Sequence, residues 1–356
     1  MLRLAAAVLA LLAFAPAAAA DVNGDRARAS EAALERAFAA PVAGLYLERN
    51  GGRDLAYVWP FSQALAASLA VAGLPDATPA ERRAARVRLA ALERYRLGAI
   101  YRSRPGGDVF VDDNQWIAFD LLDARALERD PGALAQARKL FAFAIEEWDD
   151  NPSHPCSGGV YWARRRPNRD RAAVSTAGAA LLGARLASFP GADPAYAWWS
   201  RRMLDWLDRC LLLPSGLYAN AVELDGSVNP RAWSYNQGLA IGALVLAARA
   251  GDPTALARAE QLANASLWFL APAELQAEPP EFEAVLARNL LLLGTLDGDP
   301  RWQAAVQSYA DSAWALERDA RSGLFLFGAR RPRLLAQSAL VQIYALLAGS
   351  AVTDDR

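Results

Sequence analysis

The chain is almost without lysine and histidine: Lys139 and His154 are the only ones among 356 residues. A single imidazole excludes acid–base chemistry built on paired histidines, as sugar epimerases use. With only Cys156 and Cys210 beside it, it leaves too few ligands for a zinc centre, and no metal or cofactor is expected. His154 is expected in a loop. Arginine carries nearly all the positive charge, a matter of composition rather than chemistry. Neither sign of charge is in excess, 38 basic residues standing against 39 acidic, so no nucleic acid partner is expected. The two cysteines could bridge in an exported chain. Spacing alone does not establish disulfide geometry, and buried free thiols are the favoured reading.

Long apolar runs are missing except at the start. MLRLAAAVLALLAFAPAAAA has one early arginine, a short apolar stretch and an A-x-A end before Asp21, the form of a secretory signal peptide. It is short for a bilayer span, and no later segment is long enough. The expectation is a leader at 1–20, one domain at 21–350 and a tail at 351–356, in a secreted or periplasmic protein with no integral span after cleavage.

Strand signals are nearly absent, whereas apolar residues recur with helical period throughout. Twelve helices are expected, near 29–39, 60–73, 79–98, 113–128, 131–148, 171–188, 194–209, 234–250, 253–270, 280–297, 299–317 and 334–348. Asp-Pro pairs at 130, 193, 252 and 299 mark starts of odd-numbered helices, where Asp caps and Pro fits the first turn. Longer linkers lead into even-numbered helices at WPFSQ, DDNQW, VSTAG, WSYNQG, PPEFE and RRPRLLAQS. These entrances recur about every fifty to sixty residues, the spacing of a helical-hairpin repeat. Even helices such as LAIGALVLAAR suit burial on most sides. The expected fold is all-α: an (α/α)6 barrel of six hairpins with its functional face at the inner-helix N-termini. A closed ring is preferred to an open solenoid.

The entrances also carry the chemistry. Asp112 and Asp113 open a helix, where capping and dipole effects alone would favour acids. Asn114, Gln115 and Trp116 add hydrogen-bonding groups and a stacking surface beside them. Glycoside hydrolysis uses two carboxyl groups, one protonated and one ionised. At about 5 Å and an effective dielectric of 20, repulsion between neighbouring acids is roughly 3 kcal/mol. The helix dipole opposes it by only about 0.3–1 kcal/mol. One shared proton near neutral pH is expected.

Other charged residues have plainer readings. Asp120 and Asp123 are expected in polar packing or surface pairs, Asp149 and Asp150 in a solvated loop, and Arg164 to Arg166 on a solvated face. Glu281 and Glu283 are expected to stabilise a helix start rather than reach the cleft.

In order and spacing, DDNQW, GGVYW (Gly158 to Trp162), SYNQGLAIGAL and FEAVLARNL resemble glycoside hydrolase family 76, the endo-α-1,6-mannanases. The resemblance covers most of the chain, from about Trp59 to the last helix. It implies an (α/α)6 fold, retention of anomeric configuration and an α-mannan-like glycan as substrate. It further implies Asp112 as nucleophile and Asp113 as general acid/base. Trp116, Trp162, Tyr235, Asn236 and Gln237 then stand as groove residues, with Asn114, Gln115 and Phe282 beside them. Two places depart from the family pattern: Arg171-Ala172 replaces a usual Lys-Asn, and Glu283-Ala284 a usual Lys and Gly. Alternatives are another (α/α)6 enzyme, such as an unsaturated uronyl hydrolase, or a non-catalytic glycan-binding envelope protein.

Overall fold

The computed structural model describes residues 15–128, 130–164 and 170–350. Six helices, α2 (Val58–Ala72), α4 (Val111–Glu128), α6 (Ala173–Ala187), α8 (Ser234–Arg249), α10 (Pro280–Asp297) and α12 (Leu334–Leu347), form an inner ring. Each packs on the next, and α12 returns to α2, which closes the circle. The outer helices are α1 (Ala15–Phe38), α3 (Pro79–Ala91), α5 (Pro131–Glu146), α7 (Ala195–Cys210), α9 (Ala255–Ser266) and α11 (Pro300–Leu316). α3, α5, α7, α9 and α11 each lie on the inner helix before them, and α1 lies on α12. This is an (α/α)6 barrel, closed rather than solenoidal.

The two rings differ in composition for a physical reason. An inner helix touches neighbours on every side, so α2 buries all its residues except Trp59, and α12 all except Leu335. An outer helix buries one stripe: in α7 it is Ser200, Met203, Leu204 and Leu207, at helical spacing, with Trp206 beside them. Full burial of each such Leu contributes roughly 1.5–3 kcal/mol.

The helix starts differ as well. Outer helices are capped by their own short linkers. Thr78 and Glu81 form a reciprocal capping box, while Asp130 and Asp299 accept from Gly132 N and Arg301 N with Pro at the first turn. The N-cap residues of α2, α6, α8, α10 and α12 make no side-chain cap; at α8 the Glu278 carboxylate accepts from Ser234 N at 3.0 Å instead.

Four inner helices are instead tied down from their fourth residue. The Asn114 amide accepts from Tyr101 N at 2.8 Å and donates to Tyr101 O and Phe110 O at 2.9 and 2.8 Å. Gln237 does the same to Tyr218 N, Tyr218 O and Trp233 O, and Gln337 to Phe325 N, Phe325 O and Arg333 O. The Thr176 hydroxyl accepts from Val160 N and donates to Ala172 O, both at 2.9 Å. Each clamp fixes a long entrance loop against the helix that follows it.

Several boundaries differ from expectation. α1 begins at Ala15 rather than near 29, and packs through Asn23, whose amide bonds Gln307 at 2.8 Å. The expected leader and tail fall largely outside the described residues. α3 and α9 finish as 3-10 turns, Leu92–Tyr95 and Leu267–Leu270. Five short strands were not foreseen: β1 (Arg96–Leu97) with β2 (Ile100–Tyr101), and β3 (Asp170–Ala172), β4 (Ala221–Glu223) and β5 (Val228–Asn229) in one antiparallel sheet. Strands of two or three residues are too short to show alternation.

Cys156 and Cys210 are disulfide bonded, with Cα atoms 6.0 Å apart, not free thiols. The bridge ties the loop before GGVYW to the end of α7. In that motif Gly159 has φ +82°, and a Cβ there would stand 2.4 Å from the Trp206 ring. Only glycine fits.

Candidate active site

At the N-terminal end of the inner ring lies a cleft of about 580 Å³. All six inner helices send a first-turn residue into its lining, Trp59, Asp112, Val174, Tyr235, Phe282 and Leu335, and α2 and α4 add Pro60 and Asp113. Five of the six sit at the second helical position and Phe282 at the third. The N-termini they belong to converge there, so their partial positive charge favours the ionised form of an acid at a helix start, such as Asp112. A larger groove of about 900 Å³ opens at the other end, among the C-termini of α6 and α8, but small residues dominate its lining and Asp252 is its only acid.

Asp112 and Asp113 both line the cleft. The Trp162 indole donates to Asp112 Oδ2 at 3.1 Å, while Oδ1 has no hydrogen-bond partner. Asp113 is only 8% exposed. Burial pushes the Asp112 carboxyl up to about 6; the Trp162 bond and backbone N–H groups hold it lower than burial alone would. Burial, followed by the charge of Asp112, pushes Asp113 well above the usual carboxylate range. The leading cause is therefore desolvation in both; the repulsion expected from sequence comes second for Asp113, while the charge that raises Asp112 is that of Asp170. The surroundings differ in a chemically useful way: the Trp162 N–H favours the ionised form of Asp112, and a charge on Asp112 favours a proton on Asp113.

Aromatic rings form the walls. Phe282 stacks on Tyr235 with centroids 4.1 Å apart and planes 9° from parallel, and Trp59 and Trp233 flank it at 6.2 and 5.4 Å. Across the cleft, Phe110 packs on Trp162 at 4.9 Å. Trp116 forms the floor, lining both the cleft and a buried cavity of about 60 Å³ on the barrel axis. Flat apolar faces beside carboxylates suit the C–H faces and hydroxyls of a pyranose.

Of the expected site residues, the structure brings Asp112, Asp113, Trp116, Trp162, Tyr235 and Phe282 together in the cleft. It does not bring Asn114, Gln115, Asn236 or Gln237 there. Asn114 and Gln237 are the clamps already described. The Gln115 amide donates to Ser175 O at 2.7 Å inside the barrel, and Asn236 is fully buried. The amides of Asn114, Gln115 and Gln237 meet backbone rather than sugar, and both amide atoms of Asn236 are buried without a hydrogen-bond partner.

Sequence reasoning missed Trp233, Tyr57, Glu48 and Asp170 as cleft residues. Trp233 and Tyr57 immediately precede the inner helices α8 and α2, a position that could have exposed them. Asp170 gave no signal; the pairing of β3 with β4 places it. Its carboxyl is raised by burial, and its charge in turn raises Asp112.

Other acids and bases lie away from the cleft. Asp149 is buried rather than solvated: Arg171 donates to it at 2.6 Å and His154, a loop residue, lies at 3.0 Å. Arg171, at one departure from the family pattern, is fully buried, whereas Ala172 lines the cleft. Asp123 pairs internally with Arg185 and Arg288 instead of at the surface. Asp120 lines the axial cavity, and burial raises its carboxyl well above the usual range. Glu283 is buried and Ala284 faces the same cavity, while Glu281 bonds Arg333. Arg164 pairs with Glu146 and Glu147; Arg165 and Arg166 fall outside the described residues.

The sequence profile of glycosyl hydrolase family 76 matches residues 45–314. No curated protein matches. Among solved structures, a family 76 glycoside hydrolase from a bovine Bacteroides thetaiotaomicron strain is similar, with a TM-score of 0.81 and 22% identity over 92% of this chain and 77% of that one. An α-1,6-mannanase from Salegentibacter sp. superposes with a TM-score of 0.76 and 20% identity, covering 93% of this chain and 100% of that one. Its inactive variant, with two consecutive aspartates replaced by asparagine, is known in complex with α-1,6-mannotriose; it aligns at 20% identity and a TM-score of 0.76 over 91% of this chain and 99% of that one. At these identities the structures speak to the fold, and the profile match speaks to the family. With its paired carboxylates in an aromatic-walled cleft, the chain belongs to glycosyl hydrolase family 76 and is a glycoside hydrolase.

Proposed function

We propose that the protein is an exported retaining hydrolase of α-1,6-linked mannan. One observation carries the assignment of roles: two neighbouring carboxyls line the cleft, and the Trp162 N–H donates to Asp112. Asp112, ionised and oriented by Trp162, attacks the anomeric carbon as Asp113 gives its proton to the leaving oxygen. A covalent glycosyl-Asp112 ester results. Asp113, now a carboxylate, takes a proton from water, which opens the ester with a second inversion and restores both groups. The family match and the mannotriose complex of the Salegentibacter relative support the substrate.

The cleft chemistry speaks against an unsaturated uronide. Glu48, Asp112, Asp113 and Asp170 line it, and none of the described lining residues is Arg, Lys or His. A uronate there would meet like charge without a partner. The reading is tested with purified protein and α-1,6-mannan, following the anomer released by NMR. Expected are α-mannose reducing ends at first, and a loss of turnover of about a thousandfold or more in Asp112→Asn and Asp113→Asn. A β product at early times, or full turnover in both variants, would sink it.

A further inference from the structure

Adjoining the cleft, and sharing Glu48, Pro60 and Leu335 with it, is a second hollow of about 380 Å³. Its charge is opposite. Arg49, Arg331 and Arg333 line it, with Glu48 as the only acid. Arg333 is engaged by Glu281 at 2.8 Å. Arg49 and Arg331 are exposed, and neither makes a salt bridge among the described residues, although the charge of Arg49 holds the Glu48 carboxyl lower than burial alone would. Arg49 and Arg333 also stand opposite each other across an antiparallel backbone bridge. Leu334 and Leu335, the first two residues of the uncapped helix α12, complete the wall. Their N–H groups add positive potential. The RRPRLLAQS entrance, which the cleft uses only through Leu335, supplies most of this surface.

We propose that the hollow is a subsite for a negatively charged substituent, phosphate or carboxylate, borne on the glycan away from the bond that is cut. This rests on the cleft being a glycan-hydrolysing site. The acidic cleft admits only uncharged sugars around the scissile bond, and the arginine hollow next to it receives the charge. Specificity then comes from segregation: an anion is repelled at one position and held at the adjoining one.

The test compares three matched α-1,6-mannooligosaccharides: neutral, carrying a phosphate monoester, and carrying a succinyl half-ester. For wild type, kcat/KM at low salt is expected to be about tenfold higher for an anionic substrate than for the neutral one. The ratio should shrink as salt screens the charges. In an Arg49→Gln, Arg331→Gln protein the ratio should fall towards one, and in Arg331→Glu it should shrink as well; thermal unfolding shows whether each variant is folded. Preference for both anions supports the proposal, and preference for phosphate alone supports it with phosphate as the source. Equal treatment of all three by wild type, or a ratio unmoved by the arginine replacements, overturns it. If wild type cuts none of them, the mannanase reading falls. The charge proposal is then decided by calorimetric binding of the same oligosaccharides to Asp112→Asn protein, where equal or undetectable affinities overturn it.

Discussion

The Trp162 indole and the Asp112 carboxyl are joined by one hydrogen bond of 3.1 Å, made to Oδ2 and leaving Oδ1 without a partner. The bond favours the ionised acid against burial. Trp162→Phe keeps a ring against Phe110 and removes the N–H. A lost hydrogen bond of about 0.5–1.5 kcal/mol corresponds to roughly half to one pKa unit. The acidic limb of the kcat/KM profile, expected near pH 6, should move upward by that amount. An unmoved limb would mean that the indole serves only as a wall.

The raised carboxyls make the site a cost to the fold above neutral pH. Between about pH 4 and 6 the folded chain keeps a proton on Asp112 that the unfolded chain has released, so stability falls as pH rises through that window. Asp112→Asn removes the titration. The variant should gain on the order of 2–3 kcal/mol relative to wild type between pH 4 and pH 7. Urea unfolding at the two pH values measures the difference; parallel curves for both proteins would contradict it.

Gln237 is fully buried, with its amide satisfied three times by backbone. Gln237→Ala strands the Tyr218 N–H and two carbonyls. A loss of about 2–4 kcal/mol in unfolding free energy is expected. The KM for glycan, taken where the variant remains folded, should change little. A large KM effect with intact stability would restore the role in sugar binding that its sequence suggests.

The Cys156–Cys210 bridge closes a separation of 54 residues. Loop-closure entropy for that length corresponds to about 4 kcal/mol. Reduction, or a Cys156→Ser, Cys210→Ser pair, should lower stability by a large part of that. Turnover should suffer with it, because the loop that the bridge holds leads to Gly159 and Trp162. Equilibrium unfolding with and without reductant is the measurement.

The barrel was legible in sequence because hydrophobic period, Asp-Pro starts and hairpin spacing all report local geometry. The acid pair was legible for a related reason: a first-turn residue of an inner helix points into the mouth. The amides were not, since Asn114 and Gln237 offer the same donors to a sugar or to a backbone loop. Only the course of that loop, set by long-range packing, decides between them. Asp170 and the arginine hollow were hidden in the same way. β3 reaches the cleft through pairing with β4, and Arg49 meets Arg331 and Arg333 from the far end of the chain.

Every inner helix contributes to the mouth through its first turns, α2 with Trp59 and Pro60 and α4 with Asp112, Asp113 and Trp116, while the rest of its length is committed to the ring. Trp59 and Tyr235 both pack on Phe282, whereas Leu335 stands apart from that stack. Exchanging Leu335, the one residue of α12 that is not buried, alters what the enzyme grips with little effect on how the barrel packs. A lineage of such barrels can therefore drift from one polysaccharide to another by single steps there, holding the acids and the aromatic stack fixed.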